Sequence, residues 1–396
     1  MTIFTLEKLY QAYLDCRKTK RNTINALKFE WNLERNLFKL QKELIAKKYK
    51  PGRSICFVVK EPSPREIFAA SFRDRVVHHL LINEVEEIGE KNFIFDTYSC
   101  RKNKGTHLAI KRLRKFIRKA TNNQKNKAFY LQLDIAGFFM AIDKNILYSL
   151  FRELVLKQNK LYQWKKDVLW LAKVIIFHEP TKNYIVKGKS SLFKLIPPRK
   201  SLFQSKLNKG LPIGNYSSQF FANLYLNELD QFIKRTLKCR YYVRYVDDFI
   251  ILGRDKKRLN FFIDSIDKFL QNNLDLKLNS SKTKLQAIDN GIDFLGYFVK
   301  PDYVLVRRKV VKRLKQKLYF FDKRGKTEEI EPILATINSY YGHFKHAYSF
   351  NLRKDIYDNH LGTLQKIFEP KSNCLSLNIK KRKEENGVKK KLNNKE

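Results

Sequence analysis

Cysteine is scarce and scattered. The five cysteines, Cys16, Cys56, Cys100, Cys239 and Cys374, are odd in number, widely spaced and include no CxxC pair. That pattern excludes a zinc-finger ligand set and a disulfide framework. It fits a reducing compartment, so a cytoplasmic location is expected. No signal-peptide pattern opens the sequence. No apolar run approaches the ~18 residues that a membrane span needs, so no membrane partner is expected. Acidic residues are also in short supply: 39 Asp+Glu stand against 81 Lys+Arg, a formal charge of +42.

Charge is the strongest bulk signal. Residues 371–396 carry nine basic and three acidic residues, so most of the excess sits on the body. Codon bias toward Lys would bring Glu with it, and Glu does not keep pace. A body this basic repels itself unless a polyanion neutralises it, and nucleic acid is the leading partner. The chain of 396 residues, 43% hydrophobic, suffices for one large multi-lobed unit or two to three domains with a real core.

Periodicity gives the coarse organisation. Phe29, Leu33, Leu37, Leu40 and Leu44 recur at three- and four-residue steps, so residues 1–50 read as a helical extension closed by Pro51-Gly52. Helices are expected over 72–91, 108–120, 143–156, 162–177, 217–237 and 259–272, and again over 307–321 and 328–348. Strands are expected over 55–60 and 128–135, with hairpins over 240–252 and 294–306. Residues 182–209 read as a long, basic, Pro-containing loop, and loops of that length are usually functional. Beyond Lys371 the chain is Lys- and Asn-rich and reads as disordered. The overall class is α+β. His78-His79 have no metal-ligand partner and read as ordinary helix residues.

Two sites carry acids in strand-like surroundings. Leu131-Gln132-Leu133-Asp134-Ile135 alternates apolar and polar residues and ends on an acid. Tyr245-Val246-Asp247-Asp248-Phe249-Ile250-Ile251 sets two adjacent acids between apolar flanks. Adjacent carboxylates in a packed hairpin destabilise it unless a cation neutralises them. Nucleotidyl transfer uses two divalent cations held by such carboxylates. An Asp pair also makes ordinary turns, so the short box alone does not decide.

The order of the blocks decides. Tyr245-Val246-Asp247-Asp248 resembles the YxDD box of reverse transcriptases, and Asp134-Ile135-x-x-Phe138-Phe139 resembles their first catalytic block. Gly210-Leu211-Pro212-Ile213-Gly214-Asn215-Tyr216-Ser217-Ser218-Gln219 lies between them, like the block that supports template and nucleotide. Leu278–Lys284 and Phe294-Leu295-Gly296 are similar to the two blocks that follow. Pro64-Arg65-Glu66-Ile67 and Phe72–Val77 are similar to the two fingers blocks. This resemblance implies a right-hand polymerase fold: fingers and palm over 51–300, a helical thumb over 301–370 and a basic tail over 371–396.

The third block gives a finer resemblance. Most reverse transcriptases read Gln-Gly-x-x-x-Ser-Pro there. Here Ile213 replaces the Gln and Gln219 the Pro, as in diversity-generating retroelements. Residues 180–184, 195–203 and 339–347 resemble that family too. The resemblance implies copying of a template-repeat RNA into cDNA with errors at adenines. It also implies a small basic pentameric accessory protein as partner, beside the template RNA and the cDNA primer–template duplex. Group II intron-like and retron or phage-defence enzymes remain alternatives, as does, from another class, a catalytically idle RNA-binding module.

Roles follow residue by residue. The resemblance implies Asp134, Asp247 and Asp248 as metal ligands, helped by the Ile135 carbonyl, with two Mg²⁺ ions or Mn²⁺ as a substitute. Arg65, Arg73 and Arg75 are candidates for the triphosphate, since guanidinium suits phosphate oxygens. For Arg73 and Arg75 the competing reading is an ion pair with Asp74 or a solvated helix start. Phe139 stands where the family places the ring that selects deoxyribose, with Phe138 a core residue. Ile213, Gly214 and Gln219 belong to the nucleotide-supporting block. Lys282 is a candidate general acid for pyrophosphate. Phe294, Leu295 and Gly296 resemble the primer grip.

Overall fold

In the computed structural model, which describes residues 2–18, 20–61, 63–324 and 330–380, β-branched and aromatic runs form strands and the apolar stripes form helices. The strands are β1 Ser54–Val59, β2 Arg65–Ala69, β3 Phe129–Asp134, β4 Tyr184–Val186, β5 Tyr241–Tyr245, β6 Asp248–Gly253, β7 Lys284–Ala287, β8 Ile292–Phe294, β9 Tyr297–Val299, β10 Val304–Val306, β11 Phe368–Lys371 and β12 Ser376–Ile379. The chain divides into two units, Met1–Ala287 and Ile288–Glu396. That places β8 and β9 in the second unit, whereas the sequence reading drew the boundary after residue 300.

The first unit is built on a four-stranded sheet in the order β5-β6-β3-β7, all antiparallel. Leu131, Leu133, Phe249 and Ile251 are buried in one apolar cluster with Leu259, Phe262, Ile266 and Leu270 of the helix Lys256–Leu274. Truncating a fully buried leucine such as Leu133 to Ala costs about 2–5 kcal/mol. The cluster also takes in Ile3, Phe4, Leu9, Tyr13, Leu37, Leu40 and Leu44, packed with Val76, Leu80 and Leu81 of the helix Phe72–Asn92. The N-terminal helices are thus a layer of the first unit. A second sheet, in the order β2-β1-β4, pairs β1 antiparallel to β2 and parallel to β4. The segment 182–209, expected as loop, therefore supplies a strand.

The second unit holds the sheet β10-β9-β8 and the helices Arg308–Arg324, Ile330–Phe344 and Phe350–His360. Leu314, Leu318, Ile337, Tyr341, Phe344, Ile356, Phe368 and Leu377 make its core. Residues 371–380, expected as disordered tail, are ordered instead: β11 and β12 form a hairpin. Leu377 is fully buried, and its backbone exchanges two hydrogen bonds with the Asn338 amide, at 2.7 and 2.9 Å. The apolar alternation of so short a strand was hidden among lysines. Residues 381–396 lie outside the described residues. The segregation of antiparallel sheets and helices is α+β, as the sequence reading expects.

Candidate active site

Register brings the acids together. In the β3–β6 pair Asp134 lies opposite Asp248. Side chains alternate faces along a strand and paired residues share a face. Leu131 and Leu133 point into the core with Phe249 and Ile251. Gln132, Asp134 and Asp248 therefore share the opposite face. Tyr245 pairs with Asp248, closing the β5–β6 hairpin on the two-residue turn Val246-Asp247.

That turn is strained and braced. Val246 has φ +57°, a conformation that costs a β-branched residue about 1–3 kcal/mol. Its carbonyl accepts a hydrogen bond from Arg244 Nη1 at 2.9 Å. Arg244 is fully buried and makes a bidentate pair with the equally buried Asp230, Nη2–Oδ2 2.6 Å and Nε–Oδ1 2.8 Å. The Tyr242 hydroxyl donates to the same carboxylate at 2.7 Å.

Asp134 is buried and fully partnered. Asn279 Nδ2 donates to its Oδ1 at 3.0 Å, Lys282 Nζ pairs with its Oδ2 at 2.6 Å, and the Asn279 N–H donates to its backbone carbonyl at 2.8 Å. Ile135 is buried and bridges to Leu278. Gln132 Nε2 donates to Asp248 Oδ1 at 3.3 Å. Burial raises the Asp248 carboxyl to about 7; the Gln132 hydrogen bond opposes the rise, while Asp247 and Asp134 add to it. Burial, then Asp134, also raises Asp247, against the pull of Lys282 and Arg65. Among the described residues no group of three His, Cys, Asp or Glu side chains stands ready to hold a metal ion unaided. The donor set still fits Mg²⁺, which takes one or two protein carboxylates and completes its shell with water and substrate phosphates. Mutually repelling acids of raised pKa are also the electrostatic setting that a divalent cation relieves.

The nucleotide-side candidates separate. Arg65 is exposed at the start of β2, and its charge reaches Asp247. Arg73 makes the Asp74 ion pair weighed for it and a second one besides. Its guanidinium pairs with Glu43 and with Asp74 at 3.2 Å and lies 4.9 Å from the Tyr49 ring, committed to holding the N-terminal helices. Arg75 is likewise drawn inward: Nε donates to the Ala70 carbonyl at 2.9 Å, and burial lowers its pKa against the opposing pull of Cys16. Phe138 is a core residue. Half-buried Phe139 packs, with Ile213, on a small cluster of Cys56, Phe68, Met140 and Leu202. The Ile213 carbonyl accepts from Phe68 N–H at 2.9 Å. Gly214 has φ +123°, and a Cβ there would meet Ile67 Cγ2 at 2.7 Å, so the close approach needs glycine. Gln219 is exposed on the helix Tyr216–Gln231. Phe294 is buried, and Leu295 and Gly296, φ +52° and +86°, make the β8–β9 turn of the second unit.

Several positioning residues escaped the sequence reading. Arg244 sits on the core-facing phase of β5, two residues from Tyr242, and a charge in that phase was the available signal. Asn279 and Gln132 flank the acids in blocks already noted for other reasons. Asn215 Oδ1 accepts from Ala70 N–H at 3.0 Å, tying the third block to β2.

Residues 50–299 match the family model described as reverse transcriptase (RNA-dependent DNA polymerase). The chain is 22% identical to Protein YkfC of Escherichia coli over 65% of its own length and 69% of that protein. It is 23% identical to the putative COX1/OXI3 intron 2 protein of Saccharomyces cerevisiae over 64% of its own length, spanning only 32% of that relative. A solved telomerase of Candida albicans, in complex with a fragment of telomeric RNA, matches 80% of this chain and 61% of that one at 13% identity and a TM-score of 0.47.

Proposed function

The chain belongs to the reverse transcriptase (RNA-dependent DNA polymerase) family, and from that premise we propose that it copies a template-repeat RNA into error-prone cDNA, as diversity-generating retroelement enzymes do. The observation that carries the polymerase reading is the pairing of Asp134 with Asp248 beside the Asp247 turn. Those three acids, with the Ile135 carbonyl, are the proposed holders of two Mg²⁺ ions. When bound, the ions activate the primer 3′ hydroxyl and neutralise the charge that develops on the leaving pyrophosphate.

The chain's own residues do the rest. The Arg244–Asp230 pair fixes the turn and so the direction of Asp247 and Asp248. Asn279 and Lys282 orient the Asp134 carboxylate. Arg65 supplies positive charge for the triphosphate. Phe139, which packs on the same small cluster as Ile213, is the proposed ring under the sugar that excludes a 2′ hydroxyl. Lys282 is the proposed proton donor to pyrophosphate. Template RNA, primer–template duplex and a small basic accessory protein are the proposed partners.

The mutagenic reading rests on Ile213. An apolar side chain there offers no hydrogen bond to nucleotide or template, and losing a polar discriminating contact lowers fidelity. Sequencing cDNA made by the purified protein on a defined RNA template with Mg²⁺ and all four dNTPs tests it. Errors concentrated at template adenines are expected. Uniformly rare errors would return the chain to the second reading, an intron-type enzyme, which the likeness to the yeast intron protein favours.

A further inference from the structure

The segment Pro197–Leu202 is a wall of the catalytic site. Gly137 stands three residues past Asp134 in the left-handed region, φ +58°, and a Cβ there would lie 2.7 Å from the Arg199 carbonyl oxygen. The backbone of Arg199 therefore rests on the turn that follows the first acid. Pro198–Lys200 form one short helical turn, closed by Lys200 N–H donating to the Pro197 carbonyl at 2.8 Å. Two anchors hold it. Glu66, buried and next to Arg65 on β2, accepts from the Ser201 hydroxyl at 3.0 Å and from the Leu202 N–H. The Leu202 side chain is buried in the same small cluster that Phe139 and Ile213 pack against. Lys200 is thus fixed on both sides: Arg199 on the catalytic turn before it, Ser201 on Glu66 after it.

The charge around Lys200 is lopsided. Burial, and then the charges of Lys282, Arg65 and Arg199, oppose protonation of its amine, while Asp134 favours it. Lys282 pairs with Asp134, and Arg65 reaches Asp247. Cations from three separate stretches of chain are gathered beside the acids and held there by buried anchors. Such mutual repulsion is tolerated where a polyanion is bound. Against a primer 3′ end, the anion of fitting size and charge is the triphosphate of the incoming nucleotide.

We propose that Lys200 is a triphosphate-binding residue, contacting the β- and γ-phosphates of the incoming deoxynucleoside triphosphate and the pyrophosphate that leaves. This rests on the polymerase reading. In that reaction the 3′ hydroxyl gives its proton to water, its oxygen bonds to the α-phosphorus, the α–β bridging bond breaks, and pyrophosphate departs with the bonding pair. Lys200 holds the departing half.

The test compares wild type, Lys200→Ala and Lys200→Arg on a poly(rA) template with an oligo(dT) primer, dTTP and Mg²⁺. Lys200→Ala should raise KM for dTTP and the inhibition constant of magnesium pyrophosphate by about tenfold or more, the scale of one lost charge-assisted hydrogen bond. Its Kd for template–primer should stay within about threefold of wild type, and Lys200→Arg should recover most of both losses. Should the Ala variant not fold, Lys200→Gln, which keeps the stem and removes the charge, carries the same expectations. Unchanged KM and pyrophosphate inhibition would overturn the assignment, as would a loss confined to template–primer affinity. A wild-type chain that binds template–primer but never extends it would instead sink the polymerase reading itself.

Discussion

Arg244 reaches two residues forward along its own chain, and its Nη1 holds the carbonyl of Val246 at 2.9 Å. The carbonyl belongs to the turn that carries Asp247. A fully buried ion pair with Asp230 thus sets the geometry of Asp247 and Asp248. Arg244→Ala should cost about 3–5 kcal/mol, since it leaves Asp230 charged and unpaired in the core. Urea unfolding measures it, and a cost below about 1 kcal/mol would remove the pair from this role.

Val246→Gly tests the strain itself. Glycine adopts φ +57° freely, so relief of the left-handed valine should stabilise the protein by about 1 kcal/mol, offset in part by glycine's greater chain entropy. A looser turn should lower kcat while leaving template binding unchanged. A fall in melting temperature would show that the valine side chain packs better than its backbone suffers.

Asp248→Asn should separate stability from activity. Burial and the neighbouring acids make this charge unfavourable in the folded protein without a divalent ion. The neutral amide should stabilise the metal-free protein by about 1–2 kcal/mol at pH 8, a figure reduced for the residue's partial exposure. Polymerisation should be lost. Calorimetry with a chelator present reads the first effect and primer extension the second.

His78 predicts acid sensitivity. Its ring is buried, 2.5 Å from the Ser217 hydroxyl, and burial lowers its pKa from 6.5 to about 4. The unfolded chain then binds a proton that the folded one does not. The stability contributed by neutral His78 is present above pH 6.5 and lost as pH falls from 6.5 toward 4. His78→Gln should flatten that part of the stability–pH curve, measured by urea unfolding at several pH values.

Much of this was legible in the chain. Alternation in Leu131–Ile135 and the apolar flanks of Asp247-Asp248 gave β3, β5 and β6, and their antiparallel pairing fixes which acids meet. Period-2 reading could not give the register, which depends on long-range pairing of residues more than a hundred positions apart. The Arg73–Asp74 ion pair was a reading its local sequence offered, but the pair with Glu43 was not. Glu43 lies thirty residues earlier, and only the packing of the N-terminal helices brings it there. Residues 195–203 were singled out in the chain by their resemblance and as part of a long functional loop, but no role for Lys200 was legible there. Its position is set by Glu66 and Gly137, both distant in sequence. The β11–β12 hairpin was hidden by composition, since lysines and asparagines surround its few apolar residues.

The central claim is that Asp134, Asp247 and Asp248 form the metal-dependent catalytic centre. The most direct measurement is Mg²⁺-dependent cDNA synthesis by the Asp247→Ala/Asp248→Ala protein, run beside RNA binding. Loss of several kcal/mol of transition-state stabilisation predicts a rate drop of about a thousandfold or more, with RNA affinity retained. Synthesis within about tenfold of wild type by a folded double variant would contradict it.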